Sequence, residues 1–267
     1  MCQLVYFYQM RNTAKHRHAV DTGYARGEET RARIIVTALK LFGERGFEGA
    51  STREIATSAG VNAPALQYYF DSKEGLYVAC AEYIAEQVWK CVADVVARAE
   101  RVLQSDGDDA ALIDAYCNVQ GEIAEFMFTS RDASDWRLFM AHQQAGLGPV
   151  AGFQVLYQKV SKRMSGVTCA IVGRLLGRPP TDDETLIRTM ALNGQLSVFQ
   201  IFRRSALTAL NWDSLDPKRL ALLKRIIREQ TTVLLQSMVA IRDSARKGAV
   251  VRAKASSSRP RRRTRAR

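Results

Sequence analysis

Apolar side chains recur every three or four residues through most of this 267-residue chain, and no stretch alternates cleanly between apolar and polar positions. The first spacing marks one face of an α-helix, whereas strict alternation marks a β-strand. The chain has only six prolines, and clusters of glycine, asparagine or aspartate separate its apolar segments. The pattern therefore predicts an all-α protein whose first helix spans about 28–44 and whose last two helices span about 181–210 and 216–240.

The segment from Ser51 to Lys73 carries the signals of two short helices joined by a tight turn. Ser51 and Glu54 stand three apart as a capping box, which begins the first helix, and Gly60 provides the left-handed residue that ends it. Asn62 is a favourable N-cap for the second helix. The segment predicts a helix-turn-helix, whose second helix fits the major groove of DNA. On spacing alone, a plain helical hairpin within a bundle is the other interpretation.

The second helix has one face available for DNA, because Leu66 and Phe70 are four residues apart and face the core. On the opposite face Gln67 can form a bidentate hydrogen bond with adenine, and Ala63 and Pro64 offer apolar contact to a thymine methyl group. Lys73 begins the next helix and can meet a phosphate there. The candidate DNA-binding residues are Thr52, Arg53, Asn62, Ala63, Pro64, Gln67, Tyr68, Tyr69 and Lys73.

Residues 28–88 carry four motifs in a fixed order. They are Thr30-Arg31-x-x-Ile34, Ala38-x-x-Leu41-Phe42-x-x-x-Gly46-Phe47, Thr52-x-x-x-Ile55-Ala56-x-x-Ala59-Gly60-Val61 and Phe70-x-Ser72-Lys73-Glu74-x-Leu76. This set closely resembles the DNA-binding domain of TetR-family regulators. The resemblance implies that the helix beginning near Ala63 reads the operator and that Lys73 contacts the DNA backbone. Gln67 stands where most members have tyrosine, and Tyr69 where histidine is usual, which leaves the operator sequence open.

The second half of the chain resembles the C-terminal domain of CecR-type TetR regulators. The motifs are Phe153-x-x-Leu156-Tyr157, Leu175-Leu176-Gly177, Leu192-x-Gly194-Gln195-x-x-x-Phe199 and Arg228-Glu229-Gln230. The resemblance implies an N-terminal three-helix domain with the helix-turn-helix, followed by a larger helical domain that binds an effector and forms a homodimer through its last two helices. It also favours a drug or other xenobiotic as effector and an efflux gene as target.

Four segments follow from these assignments. We expect a disordered N-terminal extension over 1–26, a DNA-binding domain over 27–88, an effector-binding and dimerisation domain over 89–240, and a disordered basic tail over 241–267. The last two helices carry regular apolar stripes, which by themselves fit an ordinary core; the TetR resemblance implies that they form the dimer interface instead. The stripe residues are Leu192, Leu196, Phe199 and Phe202 on one helix, and Leu220, Leu223, Ile227, Val233, Leu234 and Val239 on the other.

Large apolar side chains cluster on adjacent predicted helices in the middle of the chain. They either line an apolar effector pocket or pack as an ordinary core. His142 is either a polar anchor in that pocket or a structural histidine. The candidate pocket residues are Phe126, Trp136, Phe139, Met140, His142 and Phe153.

The net charge of +12 points to nucleic acid, but the charge lies far from the helix-turn-helix. Residues 242–267 hold eleven basic residues and one acidic residue, whereas residues 27–75 sum to −1. A second hypothesis is therefore a non-specific nucleic-acid-binding protein driven by its arginine-rich tail.

Other classes of protein lack support in the sequence. It contains no G-x-S-x-G, P-loop or H-E-x-x-H motif, so we expect neither an enzyme nor a cofactor. Its five cysteines form no C-x-x-C pair, so no metal site is expected. No apolar run approaches the roughly 18 residues of a membrane span. We expect a cytoplasmic, dimeric repressor that binds double-stranded operator DNA and is released by a small apolar effector.

Overall fold

The computed structural model describes residues 18–105, 108–129 and 133–257, and within these ranges all regular structure is helical. This confirms the predicted all-α class. The helices are α1 (His18–Gly49), α2 (Thr52–Ser58), α3 (Ala63–Phe70), α4 (Lys73–Gln104), α5 (Asp109–Thr129), α6 (Ala133–Gln144), α7 (Val150–Leu156), α8 (Lys162–Leu176), α9 (Asp183–Ile201), α10 (Arg203–Ala209) and α11 (Pro217–Ser257), with a π-helical turn (Tyr157–Ser161) between α7 and α8. In the described part of the chain, no helix is long and apolar enough to cross a bilayer.

Helices α1–α3, with the first turns of α4, form an N-terminal head. The periodic apolar face of α1 supplies Ile34 and Phe42 to its core, α2 supplies Ile55, and α3 supplies Leu66 and Phe70. The same core also takes in side chains from α6 and α7. The head is therefore packed directly onto the rest of the molecule.

The 32-residue helix α4 links the head to the body, which comprises α5–α11. Neither glycine nor proline interrupts it after Gly75. Near its start Leu76 and Cys80 belong to the head core, whereas Val92 and Val96 belong to a second core shared with α5, α8, α9 and α11. The predicted domain boundary at residue 88 thus lies within a continuous helix, and a displacement of α4 is shared by both domains.

Both ends of the chain are more helical than the sequence predicts. Helix α1 begins at His18, within the predicted N-terminal extension, and α11 continues to Ser257, within the predicted basic tail. The C-terminal stretch is rich in alanine, arginine and lysine, which are strong helix formers. Arg242 anchors it by a bidentate hydrogen bond to Asp109 at 2.9 and 2.7 Å. Residues 1–17 and 258–267 lie outside the described residues.

Two helix boundaries also differ from prediction. The break expected over 43–49 falls on Gly46, which leaves helical geometry at φ 73° and ψ 175°, although α1 continues to Gly49. The helix predicted over 181–210 is divided at Phe202 into α9 and α10. Neither glycine nor proline marks that second break in the sequence.

Candidate DNA-binding surface and effector cavity

The turn between α2 and α3 is held by the caps that the sequence predicts. The Ser51 hydroxyl accepts a hydrogen bond from the backbone N–H of Glu54 at 3.1 Å. The Asn62 side chain accepts one from the N–H of Ala65 at 2.9 Å. Gly60 has a φ of 65°, the left-handed conformation that glycine adopts without steric cost. The two short helices therefore form the predicted helix-turn-helix.

Helix α3 divides into a buried face and an exposed face. Leu66 and Phe70 are buried in the head core. Four of the candidate DNA-binding residues are exposed on the other side, and Tyr68 among them has 82% of its surface accessible. The four are Ala63, Pro64, Gln67 and Tyr68. Tyr69, at the edge of this face, is half-buried against the core, and its hydroxyl lies beside Gly27 of α1.

The remaining candidates surround α3. Arg53 is exposed in the first turn of α2, and Thr52 beside it is half-buried. Asn62 is exposed, but its side-chain oxygen is used by the cap. The Lys73 ammonium lies 4.5 Å from the centroid of the Phe47 ring. These residues belong to the start of α2, the turn before α3 and the start of α4, which are the segments that flank α3 in the chain.

Two polar side chains on this surface are engaged within the protein. The Gln67 amide donates to the backbone carbonyl of Asp71 at the end of α3. The Lys73 ammonium donates to the carbonyl of Glu48 at 3.4 Å. Both groups are on flexible side chains at the surface, so a DNA contact requires them to exchange these internal partners for a base edge or a phosphate.

The turn from α3 to α4 leaves no room for a side chain at Gly75. The Ser72 hydroxyl caps α4 by accepting from the N–H of Gly75 at 2.9 Å. A Cβ atom at Gly75 would lie 2.2 Å from the carbonyl oxygen of Phe70, far inside van der Waals contact. Because that oxygen belongs to the backbone of α3, an added methyl group displaces α3 relative to α4.

We expect Gly75→Ala to lower the free energy of unfolding by about 1–3 kcal/mol, the usual cost of overpacking, and to weaken operator binding. Gly166→Ala is the matched control, because Gly166 is exposed within α8 and a Cβ there meets no atom within 4 Å. The control is expected to gain about 0.5–1 kcal/mol from helix propensity. Urea denaturation and operator titration measure both effects. Equal stability of the two variants would contradict the steric explanation.

Helix α6 connects the body to the head. Phe139 is fully buried and stacks on Tyr77 of α4, with 4.4 Å between the ring centroids. Nδ1 of His142 lies 3.2 Å from the backbone carbonyl of Phe42 in α1. The Tyr77 hydroxyl donates to Oε1 of Gln143 at 2.8 Å. These contacts join α6 to both long helices of the head.

The hydrogen bond between Tyr77 and Gln143 is buried. Burial raises the pKa of the Tyr77 phenol well above its usual value, and nearby Cys80 raises it further. Tyr77 therefore stays protonated and acts as the donor at any physiological pH. The Gln143 amide in turn donates to the carbonyl of Pro149 at 3.2 Å. The loop after α6 is held to the head through this pair.

An apolar cavity of about 210 Å³ lies in the body between α4, α5, α6, the π-helical turn and α8. Its apolar walls are Ile84, Val88, Val92, Ile123, Phe126, Met127, Trp136, Met140, Leu156, Val160 and Met164. Its polar lining residues are Arg137, Ser161 and Gln200. Such a cavity, apolar with a few polar groups, has the form of a small-molecule site.

The structure brings three of the six candidate pocket residues to this cavity, namely Phe126, Trp136 and Met140. Phe139 and His142 lie on the side of α6 that contacts the head, as described above. Phe153 is 43% exposed on α7 and stacks on Tyr157 at 6.1 Å. The prediction grouped the six because they are close in sequence. On α6, however, the helical period of 3.6 residues places Trp136 and Met140 on one face and Phe139 and His142 on another.

Sequence reasoning missed the wall that α4 contributes. Ile84, Val88 and Val92 follow one another at a spacing of four, so they form one stripe along the helix. That spacing was visible in the sequence, but it marks an inward face without saying whether the face meets a cavity or a packed core. The polar residues Arg137, Ser161 and Gln200 carried no signal of their own.

Helices α9 and α11 leave an apolar face uncovered. On α9 the exposed residues are Ile187, Met190, Val198 and Ile201, and on α11 they are Leu222, Ile226, Val233, Leu234 and Ile241. A groove of about 630 Å³ runs between the two helices. Exposed apolar side chains concentrated on two neighbouring helices are typical of an interaction site.

This face uses mostly different residues from the stripes that the sequence predicts. Leu192, Leu196, Leu220, Leu223 and Ile227 are buried within the subunit. From the predicted stripes, Phe202, Val233 and Leu234 are exposed. The assignment is corrected because both helices are apolar on two sides, and the more regular side packs against their own subunit.

Among the described residues, no group of three or more histidine, cysteine, aspartate and glutamate side chains is placed to hold a metal ion.

Comparison with known proteins agrees with this architecture. Residues 34–80 match the sequence model of the bacterial regulatory proteins of the tetR family. Residues 112–238 match that of the C-terminal domain of the HTH-type transcriptional dual regulator CecR. The chain belongs to the TetR family. Its relatives are transcriptional regulators, which supports the expectation that this protein is not an enzyme.

The similarity to CecR extends over most of this TetR-family chain. CecR of Shigella flexneri is 28% identical over 214 residues, which cover 80% of this chain and 94% of CecR. The regulatory protein RaaS of Mycobacterium tuberculosis is 46% identical over 57 residues, which cover 21% of this chain and 26% of RaaS. Sequence similarity is thus strong over short segments and more moderate along the full length.

Solved structures show the same fold. AibR, solved in complex with isovaleryl coenzyme A and operator DNA, has a TM-score of 0.53 and 16% identity, covering 76% of this chain and 96% of AibR. A transcriptional regulator from Rhodococcus sp. Rha1 has a TM-score of 0.53 and 18% identity, covering 78% of this chain and 96% of the other. At these identities the likeness concerns the fold alone.

Proposed function

We propose that this TetR-family regulator is a repressor that binds a palindromic operator as a homodimer and leaves it when a small effector occupies the cavity of the body. The observation that carries this proposal is the double role of α6. Trp136 and Met140 line the cavity, whereas Phe139 and His142 contact the head. A location in the cytoplasm, where the operator lies, belongs to the same proposal.

The coupling follows from close packing. Protein interiors are packed as densely as organic crystals, so a ligand that displaces Trp136 or Met140 also displaces α6. The stacked pair of Phe139 and Tyr77 then carries that displacement to α4, and the contact between His142 and Phe42 carries it to α1. The effector must bind the displaced conformation more tightly, since a shift from 1:99 to 99:1 requires about 5.5 kcal/mol of differential affinity.

The dimer is proposed to form through the uncovered face of α9 and α11. A two-fold interface uses the same surface on both subunits, and this face exposes nine large apolar side chains. Two copies of α3 must then enter successive major grooves about 34–36 Å apart. A conformational change that alters this separation weakens binding at both half-sites together.

Gln67→Ala is expected to reduce discrimination against operators changed at the contacted base pair by about 1–3 kcal/mol. The reason is the loss of a bidentate contact between the amide and a base edge. The control is Gln104→Ala, because Gln104 is also exposed but ends α4, outside the helix-turn-helix. Competition titrations with single-base operator variants measure the effect. An equal loss of affinity for every sequence would show that Gln67 reads no base.

Lys73→Ala is expected to weaken specific and non-specific DNA binding alike. Loss of one phosphate contact reduces the slope of log K against log salt by about one. Lys90→Ala serves as the control, because Lys90 is exposed in the middle of α4. Titrations at several salt concentrations give the slope, and an unchanged slope would exclude a phosphate contact from Lys73.

The proposal as a whole is tested by footprinting the DNA upstream of the gene with and without small apolar compounds. Protection of a palindrome that disappears when a compound binds supports a repressor released by its effector. Protection that strengthens with every bound compound would contradict release.

The alternative hypothesis places DNA binding in the arginine-rich tail. Deletion of residues 258–267 removes six arginines and keeps Arg242, whose bond to Asp109 anchors α11. A sequence-specific regulator retains its footprint after this deletion, whereas a non-specific binding protein loses most of its affinity. Non-specific contacts are electrostatic, so the salt dependence falls with the tail in either case.

A further inference from the structure

We propose that the basic C-terminal segment, residues 244–267, binds a second DNA duplex, so that the regulator holds two duplexes, or two distant parts of one DNA, at opposite ends of the molecule. This inference goes beyond the proposed function, in which only the helix-turn-helix contacts DNA. It is carried by the direction of α11, by the exposure of its end and by the charge of the segment.

Helix α4 separates the DNA-binding surface from the opposite end of the molecule. Its 32 residues span about 48 Å at roughly 1.5 Å per residue. Lys73, its first residue, is a candidate DNA-binding residue, and Gln104 is its last. Helix α5 begins at Asp109, just beyond that end, and Arg242 of α11 donates to the Asp109 carboxylate. Arg242 therefore lies at the end of the body that faces away from the helix-turn-helix.

Helix α11 runs toward this same end. Helix α5 returns along α4 toward the head, because Phe126 near its end lines the cavity together with Ile84 in the first half of α4. Lys224 near the start of α11 pairs with Glu125 near the end of α5 at 2.7 Å, whereas Arg242 pairs with the first residue of α5. The two helices are thus antiparallel, and α11 points away from the head.

The end of α11 projects beyond the body. After Arg242, residues 243–257 add about 22 Å of helix in the same direction. Residues 244–249 are all exposed, and a Cβ atom at Gly248 would meet no atom within 4 Å. This stretch therefore has no face buried within the subunit.

The basic C-terminal segment contains ten basic residues and no acidic residue. The carboxylates of Asp109 and Asp243, beside its start, both bond to Arg242, which precedes the segment. The sequence of the segment offers no internal partner for its own positive charge. Such a concentration of like charge on an exposed helix attracts polyanions.

Among polyanions, duplex DNA fits this segment better than a membrane surface. A helix that lies on a membrane needs a broad apolar face, and the segment has no apolar side chain larger than those of Val250 and Val251. Duplex DNA carries one negative charge per about 1.7 Å, and an arginine guanidinium matches a phosphate in a bidentate arrangement. A TetR-family regulator works beside DNA, so a duplex is the nearest polyanion.

The duplex held by the head is out of reach of this segment. Residues 258–267 span at most about 36 Å when fully extended, which is less than the length of α4 alone. A short operator does not bend around the molecule, because DNA is stiff over about 150 base pairs. The segment therefore meets a second duplex, or a distant part of the same DNA where that DNA is long, as in the footprinted upstream region.

The test loads the full chain with one unlabelled operator duplex of about 30 base pairs per dimer, a length too short to loop. A fluorescein-labelled duplex of the same length and unrelated sequence is then added, and fluorescence anisotropy gives its Kd. In the loaded wild type we expect a Kd of about 1–100 µM at physiological salt, the usual range of non-specific binding. Specific sites bind far more tightly, so the operator stays on the head.

Two variants remove charge from the segment. Truncation after Ser257 is expected to weaken binding of the labelled duplex by about tenfold or more, because it removes six arginines. The second variant keeps the full chain and replaces the four basic residues of the helical part by glutamine, which preserves helix propensity. It is expected to reduce the slope of log K against log salt by as much as about 3–4. Its substitutions are Arg246→Gln, Lys247→Gln, Arg252→Gln and Lys254→Gln.

The matched control replaces four exposed basic residues of α4, α8 and the start of α11, and it is expected to bind the labelled duplex as the wild type does. All three variants are expected to bind the short operator with unchanged affinity, because the segment does not reach that duplex. The control substitutions are Lys90→Gln, Arg98→Gln, Lys162→Gln and Lys218→Gln.

Failure of the operator-loaded wild type to bind the labelled duplex would overturn the inference, and so would full binding by both the truncated and the glutamine variant. Weaker binding of the short operator by the truncated chain would show that the segment folds back onto the same duplex, which also contradicts it. Stronger competition by single-stranded RNA or by anionic phospholipid vesicles than by unlabelled duplex, at equal phosphate concentration, would assign the segment to a different polyanion.

These results are separable from those that test the proposed function. A protein that releases its operator with an effector but binds no second duplex supports the function and refutes this inference. A protein that binds a second duplex through the segment but keeps its operator with every effector supports this inference and contradicts release. Absence of any protected palindrome, with all duplex binding lost on truncation, would support the arginine-tail alternative and refute two separate DNA sites.

Discussion

Replacement of Phe139 by alanine is expected to lower the free energy of unfolding by about 3–5 kcal/mol, the usual cost of removing a buried phenylalanine ring. Phe139 is fully buried, and its ring stacks on Tyr77 between α6 and the head. The substitution leaves a cavity among rings that have little freedom to close it. Urea denaturation followed by circular dichroism measures the change.

Phe153→Ala is the matched control, because it removes the same side chain from a position that is exposed instead of buried. Phe153 is 43% exposed on α7, and its neighbour Tyr157 is exposed to the same extent. A loss of about 1 kcal/mol or less is expected there, as for most surface substitutions. Similar losses for the two variants would contradict the assignment of Phe139 to the junction between head and body.

Replacement of Val233 by arginine is expected to abolish the proposed dimer and to reduce operator affinity by about 10²–10⁴-fold. Val233 is 64% exposed on the apolar face of α11 and borders the groove against α9. In a two-fold interface the substitution brings an unpaired charge from each subunit into a desolvated contact. A monomer then binds one half-site, and the gain from linking two sites is lost.

Val150→Arg makes the same change at a site of similar exposure, since Val150 is 70% exposed at the start of α7. Its dimer and its operator affinity are expected to match those of the wild type. Analytical ultracentrifugation gives the mass, and fluorescence anisotropy with an operator fragment gives the affinity. A dimeric Val233→Arg variant would place the interface elsewhere.

The features that could be predicted from the sequence are those that depend on a few neighbouring residues. The caps at Ser51, Asn62 and Ser72 and the left-handed turn at Gly60 are local, and each is present in the structure. The exposed face of α3 also follows from a local pattern, because burial of Leu66 and Phe70 determines which side remains outward. The helix-turn-helix was therefore predictable in some detail.

The features that escaped prediction depend on contacts between distant segments. A helical period shows that Phe139 and Met140 point in different directions, but not which direction meets the head and which the cavity. On α9 and α11 the regular stripe proved to be the internal side. The continuation of α11 past residue 241 depends in part on Arg242 reaching Asp109, which is 133 residues away in the chain.

The sequence by itself determined the helical class, the helix-turn-helix and the likeness to the TetR family, because caps, turns and periodicity are set by residues within a few positions of each other. Only the tertiary structure decided which side chains line the cavity, which face of α9 and α11 remains uncovered, and that α6 lies between cavity and head. Those properties depend on how whole helices are rotated and packed. A cap requires a hydrogen bond in one direction, whereas burial of apolar area is not directional and does not by itself select a rotation. Many apolar patterns are compatible with several rotations, and long-range packing selects one of them.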